Sequence, residues 1–418
     1  MQATRFDTAH EDLIHDVAYN YYGKRLVTCS SDQRLKVWDF NESGNGVAQW
    51  ELNDSWKAHD CSILKVIWAN PEFGQVIASC SFDRQVKIWE EQEIEPKNSQ
   101  KRWAEKFRLV ESRGSVQDIE FAPGNGSLRL ATCAADGIVR IYEALEPTNL
   151  TQWPQMEEFE ISSTASSLNA HSASAGGGTG GNTITASAFG SQAPSALVGG
   201  QGLAGGSAGT SGGLQQAGPN QGRNSDAGGS YCISWCPNRC PAPMMVVGLG
   251  RENGARIFKH DGQNRWYPGE YLPGHEKEVH DVCWAPSMGR SYQLIATACK
   301  DHFVRIFKLT EISATQSNPP QTPQSRNPSQ SKLNLSPSAS PNQSQVGKRF
   351  KVEVLATFDD HQAEVWRVEW NIEGTILASS GDDGTVRLWK AGFDGVWRQM
   401  SVISADGSNG GGGAHPPH

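Results

Sequence analysis

Apolar positions along the chain fall into short blocks rather than long amphipathic stretches. Leu26-Val27-Thr28-Cys29 is a nearly continuous apolar run, as expected of a strand covered on both faces. After a turn, Leu35 and Val37 flank Lys36, with the period of two that sends alternate side chains to opposite faces. A further block opens each unit: Ile14–Tyr19, Ile63–Trp68, Val116–Phe121, Val279–Trp284 and Val365–Trp370. The pattern predicts strands throughout.

The blocks repeat in register. Six times the chain reads aliphatic or Ala, then Lys or Arg, then Val, Ile or Leu, then an aromatic. The copies are Leu35-Lys36-Val37-Trp38, Val86-Lys87-Ile88-Trp89, Val139-Arg140-Ile141-Tyr142, Ala255-Arg256-Ile257-Phe258, Val304-Arg305-Ile306-Phe307 and Val386-Arg387-Leu388-Trp389. An acid stands six positions before each aromatic: Asp32, Asp83, Asp136, Glu252, Asp301 and Asp383. This length and register predict an all-β fold, a WD-repeat β-propeller of six blades.

Spacing between the aromatics separates core from insertion. Trp38 to Trp89 is 51 residues, Trp89 to Tyr142 is 53 and Phe258 to Phe307 is 49, whereas Tyr142 to Phe258 is 116 and Phe307 to Trp389 is 82. The surplus falls on Gly/Ser/Ala-rich sequence at 163–229 and Ser/Pro/Gln-rich sequence at 313–347, compositions expected to be disordered. The expected organisation is blades one to three and the start of blade four in 1–162, the rest of blade four and blade five in 230–312, blade six in 348–403, and a disordered tail at 404–418.

Composition narrows the function. A net charge of −8 argues against a nucleic-acid surface, which wants a basic field. No run of about 18 apolar residues predicts a membrane span, and the start Met1-Gln2-Ala3-Thr4-Arg5 lacks an apolar signal core. The nine cysteines then read as reduced thiols. Cys232, Cys236 and Cys240 superficially resemble a metal site, but Trp235-Cys236-Pro237 aligns with Trp284-Ala285-Pro286, and structural zinc wants four ligands. Neither a metal nor a cofactor is expected.

A histidine precedes four of the units (His10, His59, His275 and His361), and Ser or Thr stands four residues before the turn acid in five: Thr28, Ser79, Thr132, Thr297 and Ser379. The sets His59, Ser79, Asp83, Trp89 and His361, Ser379, Asp383, Trp389 resemble the buried hydrogen-bonding tetrad of WD repeats. A catalytic triad would occur once; this set recurs with the blade, so its expected role is structural. The fourth unit is the weak copy, with Gly248 and Glu252 in place of Thr and Asp and no histidine.

Counting strands leaves a remainder. Phe6-Asp7-Thr8-Ala9-His10 parallels Phe358-Asp359-Asp360-His361, so Thr4, Arg5, Phe6, Asp7 and Thr8 are expected to form an outer strand. Yet Val396–Ile403 alternates well enough to be the outer strand of the last blade by itself. Six complete blades plus one strand predict an open ring whose N-terminal strand pairs with strands supplied by a partner, a β-augmentation on the scale of a blade. The plainer alternative is a tail at 396–403 and a ring closed by the N-terminal strand.

The longer phrases resemble one family. His10-Glu11-Asp12-Leu13-Ile14-His15-Asp16-Val17, the run Asn70 to Arg84, the run Leu130 to Ala144, Val365 to Ile372 and Gly381-Asp382-Asp383-Gly384 are similar to the SEH nucleoporins, Sec-thirteen-like propellers of the nuclear pore. The resemblance covers 1–162, 230–312 and 348–403. It implies an open six-bladed propeller completed in trans by a helical-solenoid nucleoporin, and a non-catalytic scaffold role in the Y-complex of the nuclear pore with links to mRNA export, pore assembly and mitotic kinetochores. It also implies membership of the GATOR/SEA complex, which relays amino-acid state to TOR kinase at the lysosome. The two insertions are longer than the family leads one to expect.

Smaller signals add little. Thr322-Pro323, Ser336-Pro337 and Ser340-Pro341 are sites a proline-directed kinase would reach, though Ser-Pro pairs are common in low-complexity sequence. One Phe189-Gly190 is not a repeat. The rival binding roles are a peptide reader at the central channel and a ubiquitin-ligase substrate receptor; against the latter, the only Trp-Asp continues as Phe40-Asn41. An enzyme is not expected, because no unrepeated nucleophile–base pair or phosphate loop is present.

Overall fold

The computed structural model describes residues 6–42, 48–124, 126–162, 229–238, 242–312 and 349–404. All of these fall in one compact unit. They contain 24 strands in six four-stranded antiparallel sheets, each built from consecutive strands. Blade one is β1 (Ile14–Tyr19), β2 (Arg25–Ser30), β3 (Arg34–Glu42) and β4 (Ala48–Lys57); blade two is β5 (Ile63–Trp68), β6 (Val76–Ser81), β7 (Val86–Glu91) and β8 (Trp103–Leu109). Blade three is β9 (Val116–Phe121), β10 (Arg129–Ala134), β11 (Ile138–Glu143) and β12 (Gln155–Glu160); blade four is β13 (Ile233–Trp235), β14 (Met244–Gly248), β15 (Ala255–His260) and β16 (Trp266–Leu272). Blade five is β17 (Val279–Trp284), β18 (Tyr292–Cys299), β19 (Val304–Glu311) and β20 (Phe350–Phe358); blade six is β21 (Val365–Trp370), β22 (Ile376–Gly381), β23 (Thr385–Ala391) and β24 (Trp397–Ser404).

Two boundaries differ from the sequence expectation. The start of blade four is expected within 1–162, but the last strand there, β12, pairs with β11 and completes blade three. Phe350–Phe358, expected in blade six, pairs with β19 and completes blade five. An outer strand follows its own blade in sequence, and the chain then crosses to the next innermost strand. The extended ladders belong to the sheet it leaves.

In five blades the hairpin between the second and third strands turns on the repeated acid; blade four instead has a 3-10 turn at Gly250–Glu252. The Asp32 carboxylate accepts the Arg34 amide at 2.9 Å, Asp83 that of Gln85 at 3.0 Å and Asp383 that of Thr385 at 3.1 Å. The residue after the acid is left-handed: Gln33, Arg84 and His302 have φ of 68°, 69° and 77°, matching Gly137 at 74° and Gly384 at 68°. A carboxylate that holds the amide two residues on stabilises such a turn even without glycine.

Blades join through their innermost strands, β1 beside β5, β5 beside β9, β9 beside β13, β13 beside β17 and β17 beside β21. Blades one and two, three and four, and five and six share one clasp. Asp16 accepts the Val66 amide at 3.1 Å while the Trp68 indole donates to the Ala18 carbonyl at 3.0 Å. Asp118 with Ile233 and Trp235 with Glu120, then Asp281 with Val368 and Trp370 with Cys283, repeat it. Between these clasps lie the cores, where Val76, Ala78 and Ile88 of blade two meet Leu130 and Tyr142 of blade three.

Candidate functional site: the gap between blades six and one

The tetrad residues meet in three blades. In blade two the Trp89 indole donates to Ser79 Oγ at 3.0 Å, Ser79 lies 2.8 Å from His59 Nε2, and His59 Nδ1 is 2.9 Å from Asp83. A carboxylate only accepts, so His59 carries its proton on Nδ1 and takes the serine proton on Nε2. Blade six repeats this with Trp389, Ser379, His361 and Asp383 at 2.8, 2.8 and 2.9 Å, and blade one with Trp38, Thr28, His10 and Asp32. Burial depresses the His59 pKa and so keeps the ring neutral. Burial opposes ionisation of Asp383, but hydrogen bonds from Thr385 and His361 prevail and bring it down to about 2.

The other blades depart from this set. In blade three Arg140 stands over Asp136 at 2.8 Å, and in blade five Asp301 pairs with Arg305 at 2.8 Å, so His275 donates to the Leu272 carbonyl instead. Blade four has a steric reason for lacking its threonine: a Cβ on Gly248 would lie 2.5 Å from Cys232 Sγ. Cys232 and Cys236 are buried, and burial raises the Cys232 thiol; Cys240 lies outside the described residues. Among the described residues no group of three His, Cys, Asp or Glu is placed to hold a metal.

An aromatic from the end of each of several outer strands caps the repeated aromatic of the next blade. Trp56 of β4 lies 5.5 Å from Trp89, Phe159 of β12 lies 4.8 Å from Phe258, and Phe358 of β20 lies 4.0 Å from Trp389. In a closed six-bladed ring the corresponding residue of β24 is Ile403, since it pairs with Val386 as Phe358 pairs with Val304, and it would cover Trp38. Trp38 carries Phe6 instead, at 5.2 Å, and Ile403 is 36% exposed. Lys36 Nζ donates to the Thr8 and Ala9 carbonyls as Lys87 Nζ does to Ala58. The N-terminal segment thus sits where the end of a preceding blade's outer strand belongs.

Phe6, Asp7 and Thr8 form no ladder in the isolated chain, and Thr4 and Arg5 lie outside the described residues. The outer edge of β23 is taken by β24, so the N-terminal segment does not close the ring there. With no neighbouring strand to exchange hydrogen bonds, the segment is held by Phe6 on Trp38 and by the Lys36 ammonium on its Thr8 and Ala9 carbonyls. Among the described residues no contact comparable to those between successive innermost strands joins blade six to blade one.

Both walls of this gap are apolar and uncovered. Val17 of β1 is 50% exposed while its counterpart Val66 is fully buried against blade one; Val386 of β23 is 38% exposed while its counterpart Val304 is 1% exposed. Ile14 and Tyr19 on the blade-one wall are exposed as well. Covering one such side chain fully contributes roughly 1.5–3 kcal/mol. Sequence reasoning missed these wall residues because Val17 and Val66 occupy the same place in the repeat. Only position around the ring distinguishes them. The candidate phosphosites Thr322, Ser336 and Ser340 lie outside the described residues.

Comparison with known proteins agrees with this frame. The WD domain, G-beta repeat family model matches residues 2–39, 50–90, 266–308 and 352–390. Three of these matches open on or within an outer strand, β4, β16 or β20; the first places residues 2–8, with Phe6, in that same position. Nucleoporin seh1 of Schizosaccharomyces pombe is 36% identical over 407 residues, covering 97% of each chain. Nucleoporin SEH1 of Saccharomyces cerevisiae is 35% identical over 406 residues, 96% of this chain and 99% of that one. The chain belongs to the SEH1 nucleoporin family. Nucleoporin SEH1 of Homo sapiens, 36% identical over 410 residues, covers 96% of this chain and 87% of its own length. Membership spans the whole propeller, including blade three and β13 to β15 of blade four, which the repeat model leaves unmatched.

Proposed function

We propose that this SEH1-family chain is a non-catalytic scaffold subunit of the nuclear pore complex, and that its ring is completed by a blade from a partner chain. The observation that carries the reading is the position of Phe6 on Trp38, together with the uncovered apolar walls of blades one and six. A partner contributing three strands between β24 and the N-terminal segment would bury both walls and give that segment a ladder. In the finer reading the partner is a helical-solenoid nucleoporin, the assembly is the Y-complex, and the processes served are nucleocytoplasmic transport, mRNA export, pore assembly and mitosis. The same gap suits a second set of partners in the GATOR/SEA complex, which would extend the role to TOR signalling at the lysosomal surface. Among the described residues no helix is long and apolar enough to cross a membrane.

Affinity purification of the full chain tests this. A partner recovered at one-to-one stoichiometry, and lost on deletion of residues 1–9 or on Val386→Asp, is the expected outcome. A partner profile unchanged by both changes would count against it.

A further inference from the structure

One feature of the gap specifies what its occupant must present. Trp366 stands on β21 where His280 stands on β17, and the two rings stack at 4.1 Å with an angle of 17°. His280 covers the indole face toward blade five; the indole is 44% exposed, and its open face looks the other way, into the gap. The indole N–H is already given to Asp382 at 2.6 Å, so what the ring offers there is its π surface.

Carboxylates border that surface. Asp382 holds the indole edge, Glu364 lies 3.5 Å from His280 Nε2, and Glu369 is on the same strand. Asp12 is exposed on the blade-one side, whereas Asp16 turns its carboxylate to the Val66 amide of blade two. Of the neighbouring cations, Lys65 pairs with Asp118, and Arg367, which donates to the Leu64 carbonyl across the bore at 3.2 Å, is held charged by Asp16, Asp281 and Asp118. Lys300, which acts on His280, belongs to blade five. An anionic group entering here would meet like charge on both walls. An aliphatic group would leave Asp382, at the edge of the indole, without a counter-charge.

We propose that the strand filling the gap sets a lysine or arginine side chain on the open face of Trp366, between Glu364 and Asp382 of blade six and Asp12 of blade one. The inference rests on the open-ring reading above and names the chemistry that selects the partner. A cation over a tryptophan face is favoured by the ring quadrupole, most strongly once water is excluded, as it is between two packed blades.

The test uses the full chain bound to the partner that co-purifies with it at one-to-one stoichiometry, in a structure of the complex and in affinities of variants. A lysine ammonium or arginine guanidinium within about 6 Å of the Trp366 ring is expected. Trp366→Leu is expected to weaken the complex about tenfold, and Glu364→Gln with Asp382→Asn to weaken it and flatten its salt dependence, with unchanged melting of the free chain. A partner strand beside β21 carrying an apolar, acidic or no side chain over Trp366, or undiminished binding by Trp366→Leu, overturns this inference and leaves the open ring standing. A partner seated elsewhere and indifferent to Val386→Asp overturns both.

Discussion

Phe6 lies edge-on to Trp38 at 5.2 Å, the place that Phe358 takes over Trp389 at 4.0 Å. One contact ends the outer strand of a complete blade, and the other ends a segment with no blade before it. Phe6 still keeps Trp38 from water, leaving that indole 5% exposed. Phe6→Ala is therefore expected to lower the stability of the isolated chain by about 1–2 kcal/mol, less than the 3–5 of a fully buried phenylalanine because Phe6 is itself partly exposed. Urea unfolding followed by tryptophan fluorescence reads this directly. An unchanged midpoint would mean that the segment does not rest on Trp38 in solution.

Val304 and Val386 hold the same place in the repeat and differ only in what faces them. A carboxylate at 304 would be buried between blades five and six, so Val304→Asp is expected to unfold the chain or cost more than about 4 kcal/mol. Val386→Asp faces the gap and should change the stability of the isolated chain by less than about 1 kcal/mol. Thermal melts of the two variants check the pair. Equal damage from both would show that the wall at Val386 is covered by the chain itself.

Ser379 serves one donor and one acceptor at once, accepting from the Trp389 indole and donating to His361 Nε2. Removing its hydroxyl leaves both buried groups unsatisfied, so Ser379→Ala should cost about 2–3 kcal/mol. Thr297→Ala in blade five should cost less, near 1–2 kcal/mol, because Phe307 replaces tryptophan and only His275 loses its partner. Chemical denaturation of both variants gives the comparison; a larger loss at Thr297 would contradict the shared-hydroxyl account.

The repeat made the sheets legible because each strand carries its own alternation and each hairpin its own acid. The outer strand Val396–Ile403 was readable for the same reason and appears as Trp397–Ser404. What the repeat concealed was everything that depends on place in the ring. Val17 and Val66 are the same letter, one facing a gap and one a core. The N-terminal strand was legible as a pattern, yet Phe6–His10 forms no ladder because a strand is made by its neighbour. Blade five carries His275 and Asp301 at the expected spacing, but Arg305 takes the carboxylate, a competition between side chains that spacing alone does not decide.

Arg84 takes the left-handed conformation, φ 69°, that Gly137 and Gly384 take in their blades. A non-glycine residue pays roughly 1–2 kcal/mol there, partly offset by the greater freedom that glycine gives the unfolded chain. Arg84→Gly is expected to raise stability by about 0.5–1 kcal/mol, read as a higher melting temperature. A lower one would mean that the Arg84 side chain contributes more than its backbone costs.

Acid should weaken the propeller through its buried histidines, His275 most of all. Its pKa is lowered to about 4, chiefly by burial and then by Arg305, against an ordinary value of 6.5. The unfolded chain therefore binds the proton first as pH falls. Below 6.5 protonation favours unfolding increasingly, until near pH 4 the folded form also takes the proton and the loss levels off. His10 and His59 shift in the same direction for the same first reason, burial, so the effect is shared around the ring. His275→Gln removes one titrating group while keeping a side-chain donor and acceptor. Melting temperatures from pH 7 down to pH 4 should fall less steeply for the variant, with the two curves diverging most between 6.5 and 4. Parallel curves would mean that His275 titrates normally in the folded protein.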